Sequence, residues 1–149
     1  MALITYDDKQ AMGIQPTIPA VNKVTDSDMN EIKAGINGST TYSTSEIKCG
    51  TWIDGKPIYR KVINFGELPN TSSKSVNHNI SNLGGVRNLY GICYRSLDGL
   101  FFPLPSASTT LANNIQLTIN GISVNITTGI DRTNIQACYV IVEYTKTTD

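Results

Sequence analysis

Three aspartates stand where chemistry would need carboxylates: Asp54, Asp98 and Asp131. Two carboxyl groups a few ångströms apart can cleave a glycosidic bond, one as acid and the other as nucleophile or base. Each of these aspartates, however, belongs to a turn or loop. Asp54 precedes Gly55, Asp98 precedes Gly99, and Asp131 opens a loop that runs to Asn134. In such places Asp serves the backbone, since its side chain can bond a main-chain N–H two residues on. His78 is the only histidine, which excludes the usual multi-histidine zinc sites, and it has no cysteine or triad partner beside it. It reads as a structural histidine with satisfied nitrogens. Cys49, Cys93 and Cys138 are an odd number, widely spaced and without a Cys-x-x-Cys pair, so they read as buried free thiols. The sequence contains no Gly-x-Ser-x-Gly, no phosphate-cradling glycine loop and no His-Glu-x-x-His. No catalytic residue, metal ligand or cofactor is nominated, and the chain is not read as an enzyme.

Binding chemistry has one better candidate. Ile115, Leu117 and Ile119 alternate with Gln116, Thr118 and Asn120. After Asn120-Gly121, Ile122, Val124 and Ile126 alternate with Ser123, Asn125 and Thr127. This is a hairpin with one apolar face, and Asn-Gly is the preferred pair for a type I′ turn. Its other face offers Gln116, Thr118, Ser123 and Asn125, which donate and accept hydrogen bonds and carry no charge. Such a face can read a glycan, or it can simply be solvated. Lys56, Arg60 and Lys61 are the only dense basic cluster, and twelve Lys plus Arg balance twelve Asp plus Glu. Phosphate affinity comes from many cations, so this balance argues against a dedicated nucleic-acid binder. No run of eighteen apolar residues offers a membrane span, and the first residues lack the basic start and apolar core of a signal peptide. A chain made and folded in a cytoplasm is expected.

These residues need a scaffold of strands. Asn, Thr, Ser and Ile are abundant and charges are sparse, as in an all-β protein. The stretch from Ser45 to Asn70 holds the single Trp, Trp52, followed by Asp54-Gly55 between two apolar runs, which is a hairpin signal. Pro57 belongs at a strand start or edge. Ile58 to Phe65 is a strand with no fully polar face. Residues 66–75 read as a loop, and Val76, His78 and Ile80 alternate with polar residues as a half-buried strand. Gly84-Gly85 marks a turn, after which Val86, Asn88, Tyr90, Ile92 and Tyr94 share a face. Asp98-Gly99 turns into Leu100–Pro105, an edge strand by its two prolines. Ala137–Tyr144 is apolar on both faces, so it is central in a sheet or buried between chains. Turn signals about every ten residues predict an antiparallel β-sandwich.

Residues 1–23 carry Gly13, Pro16 and Pro19 and read as an extended arm, whose Ile14, Ile18 and Val21 need a surface to cover them. Val24–Asn37 is the one helix candidate. Thr25 is its N-cap, Asp26 and Asp28 lie in the first turn, and Val24 can staple to Met29. Met29, Ile32 and Ile36 form a thin apolar seam at coiled-coil spacing. A helix of about 20 Å is too short to stand alone in water, so it joins sister chains or lies on its own β-domain.

Three segments resemble small structural proteins of tailed bacteriophages, of the head fibre and tail fibre kind. They are Asp-Met-Asn-Glu-Ile-Lys at 28–33, Gly-Thr-Trp-Ile-Asp-Gly-Lys-Pro-Ile-Tyr-Arg-Lys at 50–61, and Tyr-Val-Ile-Val-Glu-Tyr-Thr-Lys at 139–146. The resemblance implies a virion fibre, a homotrimer ending in a β-sandwich knob. Residues 1–38 would then be the virion-attachment arm and an oligomerisation helix, with Val24, Met29, Ile32 and Ile36 bringing chains together. Residues 39–149 would be a jelly-roll-like knob. The arm would bind a phage capsid or tail protein, and the knob would touch a host surface glycan. Two other readings stay open: a carbohydrate-binding module, and a capsid decoration protein that binds no glycan.

Overall fold

The computed structural model describes residues 29, 30, 32, 33, 36 and 41–149. The fold is mainly β. Among the described residues the strands are β1 (Ile47–Thr51), β2 (Pro57–Asn64), β3 (Ser73–Asn77), β4 (Leu83–Arg95), β5 (Leu100–Leu104), β6 (Ile115–Asn120), β7 (Ser123–Thr128) and β8 (Ala137–Lys146), with a 3-10 turn at Leu111–Asn113. They form two antiparallel sheets: five strands in the order β1-β2-β8-β4-β5, and three in the order β3-β7-β6. The arrangement is consistent with the expected β-sandwich.

Both sheets feed one core. The larger supplies Ile63, Cys93, Leu104, Val140, Val142 and Tyr144, the smaller Ile115, Val124 and Ile126, and connecting segments add Phe65, Leu68, Ile80 and Ile135. Burying each large aliphatic contributes about 1.5–3 kcal/mol, and neither sheet could cover these residues alone. β8 lies between β2 and β4, with Cys138, Val140, Val142 and Tyr144 turned into the core; on its other face Ile141 is buried while Tyr139 is exposed. The strand is central in its sheet, which is one of the two positions expected for it.

Local turn chemistry set several elements as expected. Asp54-Gly55 joins β1 to β2, with Gly55 at φ 85° and the Asp54 carboxylate accepting the Lys56 N–H at 3.0 Å. Pro57 opens β2, and β5, which carries Pro103, is an edge strand. Other expectations are corrected. In the β6–β7 hairpin Asn120 pairs with Ser123, so the two loop residues are Gly121 and Ile122. Only Gly121 of the two has positive φ, at 58°, which is the type II′ pattern and not type I′. Asn120 stays in the ladder, and glycine supplies the left-handed corner. Gly84-Gly85 is not a turn but lies inside β4, where register shifts between Leu83 and Gly85 and between Val86 and Asn88 mark bulges against β8. Residues 73–75, read as loop, begin β3, and His78 and Ile80 lie past its end.

The cysteines are corrected as well. Cys93 on β4 and Cys138 on β8 are directly opposed and form a disulfide, leaving Cys49 as the free thiol. Their pairing follows from strand register, which spacing along the chain does not reveal.

Of the helix expected at Val24–Asn37, the described residues Met29, Asn30, Ile32, Lys33 and Ile36 are helical. Among the described residues no α-helix runs for seven residues or more. Val24 and the arm, residues 1–23, lie outside the described residues. No helix among the described residues is long and apolar enough to cross a membrane.

Candidate functional site

The outward face of the three-stranded sheet brings the polar hairpin residues together and enlarges the set. β7 is central, paired with β6 on one side and β3 on the other. Read across the register, Gln116, Thr127 and Ser73 form one row, Thr118, Asn125 and Ser75 the next, and Asn120, Ser123 and Asn77 the third. With strands about 4.8 Å apart and same-face residues about 6.7 Å apart, this is a grid of about 10 by 13 Å. All nine positions carry a hydroxyl or an amide, and none is charged or aromatic. The β6 and β3 members are exposed, while those of central β7 are half-buried.

Period-2 alternation makes this face, because the alternate residues Val124, Ile126, Ile115, Leu117 and Ile119 are drawn into or against the core. Neighbouring polar groups bond each other across strands: Ser73 Oγ with Thr127 Oγ1, and Ser75 Oγ to Asn125 Oδ1. Such cross-strand pairs fix the side chains and reduce the entropy lost when a ligand binds. Beside β6 runs an open groove of about 510 Å³, lined by Pro105, Ser106, Asn114, Gln116 and Thr118 among others. The alternation of the β6–β7 hairpin alone points to Gln116, Thr118, Ser123 and Asn125. Ser73, Ser75 and Asn77 join them only through the pairing of β3 with β7, although Ser73-Lys74-Ser75-Val76-Asn77 alternates with the same period.

The aspartates stay apart from this face and serve turns. Asp98 accepts Arg95 and the Leu100 N–H, and Asp131 accepts the Thr133 N–H and hydroxyl. The Arg95 guanidinium holds the Asp98 carboxyl below its ordinary range, and the Thr133 bonds do the same for Asp131. A general acid needs the opposite shift. His78 is 2% exposed, accepts the Ile80 N–H at Nδ1 (3.0 Å) and meets the Gly121 carbonyl at Nε2 (3.1 Å). Nδ1 accepts, so the ring proton sits on Nε2 and donates to that carbonyl. Both nitrogens are used. Among the described residues no cluster of His, Cys, Asp or Glu could hold a metal ion.

The basic trio is dispersed. Lys56 donates to the Asp149 carbonyl, Lys61 to the Asn79 carbonyl, and Arg60 pairs with Glu143 at 2.7 Å while lying 4.5 Å over the Tyr42 ring. A second ionic group closes the β1 end of the larger sheet. Glu46 accepts the Tyr144 hydroxyl and the Lys146 ammonium. Burial pushes the Glu46 carboxyl up, but bonds from Lys146 and Tyr144 and the nearby ammonium outweigh it and hold the group below its ordinary 4.5.

The seam residues lie elsewhere. Met29 is half-buried, Ile32 is 53% exposed and Ile36 is 48% exposed.

No family model matches the chain, and neither does any curated protein or solved structure.

Proposed function

We propose that the protein is a structural component of a bacteriophage virion, a homotrimeric head fibre whose β-knob faces outward and touches the host surface. The observation that carries this reading is the three-row polar face on the smaller sheet. It is wettable, uncharged and pre-ordered by its own cross-strand bonds, as suits a surface that meets a glycan coat from a symmetric particle. Weak contacts of this kind gain strength by repetition around a fibre, without any new contact. The resemblance at residues 28–33, 50–61 and 139–146 points the same way.

In this reading residues 1–22 bind a capsid or tail protein of the particle. Val24, Met29, Ile32 and Ile36 join the chains. Residues 39–149 form the knob, jelly-roll-like in that the chain changes sheets repeatedly before β8 inserts between β2 and β4. The protein works by binding and assembly, with no catalysis, cofactor, nucleic acid or membrane in its role. Gold-labelled antibody against the purified protein tests this on phage particles from the host that makes it. Label on heads supports the head fibre, label on tails moves the protein to the tail fibre, and unlabelled particles overturn the virion reading.

The same polar face favours a second reading, a carbohydrate-binding module that acts as a single copy. A glycan array separates them. A monomer that binds a defined glycan, and loses it in Thr118→Lys and Asn125→Lys, would put this second reading first.

A further inference from the structure

The outward face of the five-stranded sheet is chemically unlike the polar face of the other sheet. Its register places Tyr139 of β8 beside Ile92 of β4, and Ile92 beside Pro103 of β5. In the next row Tyr94 of β4 stands beside Phe101 of β5, their ring centroids 5.1 Å apart. Phe101 is 66% exposed, Tyr139 and Ile92 are 43%, and Tyr94 is 38%. With aromatic side chains worth about 150–250 Å² each, these rows leave about 400 Å² of apolar surface in water. That equals the largest patches monomers carry, which are often functional, and half of what one partner gives a standard interface of about 800 Å².

We infer that this patch is a contact between copies of the chain. Four features select a second copy as its occupant. The patch carries no charge, so identical faces meet without repulsion. Three of its five residues, Tyr139, Tyr94 and Phe101, are aromatic, as in interface cores. Pro103 removes a donor from edge strand β5, which disfavours strand addition there and leaves face-to-face contact. The N-terminal segment also reaches the domain on this same face: the Tyr42 hydroxyl meets that of Tyr90 at 3.3 Å, and Tyr90 is two residues before Ile92 on β4. Copies joined through that segment bring these patches together, while the polar grids remain on the outer side. The inference rests on the homotrimer reading only in taking this chain as its own partner.

The test is the native mass of the full chain by light scattering across a dilution series, for wild type, Phe101→Glu, Tyr139→Arg and the opposite-face variant Thr118→Glu. Each is checked for folding by circular dichroism. Wild type and Thr118→Glu are expected to form the same oligomer. Phe101→Glu and Tyr139→Arg, on neighbouring parts of one surface, are each expected to weaken association about 100-fold, because a lone charge would be buried. An oligomeric wild type whose mass survives both patch variants overturns the patch assignment and leaves the homotrimer standing. A monomeric wild type overturns both.

Discussion

Replacing Tyr144 with Phe removes one oxygen from the best-buried aromatic of the protein. Tyr144 is fully buried, its ring tilted against Tyr59 at 6.0 Å between centroids, and its hydroxyl donates to Glu46. Phe fills the same volume, so no cavity opens and the effect isolates the hydrogen bond. A bond to a charged acceptor contributes about 1.5–3 kcal/mol. Glu46 keeps Lys146 as a partner and its side chain is 31% exposed, so water recovers part of the loss. The expected cost of Tyr144→Phe is therefore about 1–2 kcal/mol. With a urea slope of about 2 kcal/mol per molar, the unfolding midpoint falls by about 0.5–1 M. The pH dependence follows from the same contact. The Glu46 carboxyl is held below its ordinary 4.5, so its stabilisation is complete above pH 4.5 and is lost as pH falls through the folded-state value. The gap between wild type and variant is thus constant near neutrality and narrows in acid. Urea titrations followed by circular dichroism at several pH values measure it. Coincident midpoints at pH 7, or a gap that widens in acid, would refute the reasoning.

Three further outcomes are expected. Gly91→Ala places a Cβ 2.5 Å from the Tyr139 carbonyl oxygen, a backbone atom of the central strand that cannot swing away, so thermal unfolding should show a loss of about 1–3 kcal/mol or more. His78→Ala strands the Ile80 N–H and the Gly121 carbonyl and empties a ring-sized space, which should cost about 2–4 kcal/mol in urea unfolding, whereas a merely solvated histidine would cost almost nothing. Of the three cysteines, maleimide labelling after unfolding without reductant should find one thiol per chain, Cys49, and reduction should raise the count to three. Three labelled thiols before reduction would contradict the pairing.

What could be read from residues was what local chemistry dictates. Asp54-Gly55 and Asp98-Gly99 turn because glycine takes positive φ there, and both hairpins lie where the dipeptides stand. β8 announced its place through apolar residues on both faces. β3 was partly missed because Ser73 and Ser75 look like loop residues, although a strand with one solvated face wants such residues there. The Cys93–Cys138 bond and the bulges at Gly84-Gly85 depend on how β4 lies along β8, a tertiary register set by packing far from either residue. The polar face was half legible. One hairpin shows its own alternation, but only the pairing of β3 with β7 adds Ser73, Ser75 and Asn77 to it. The aromatic patch needed β8 set beside the β4–β5 hairpin, a neighbourhood that exists only in the folded sheet.

The most direct measurement is the native mass of the full chain beside that of a version beginning at Ser39. A homotrimer gives three times 16.2 kDa for the full chain. A trimer kept on truncation places assembly in the β-domain, and one lost on truncation places it in the Met29/Ile32/Ile36 seam. A full chain that remains monomeric would contradict the fibre.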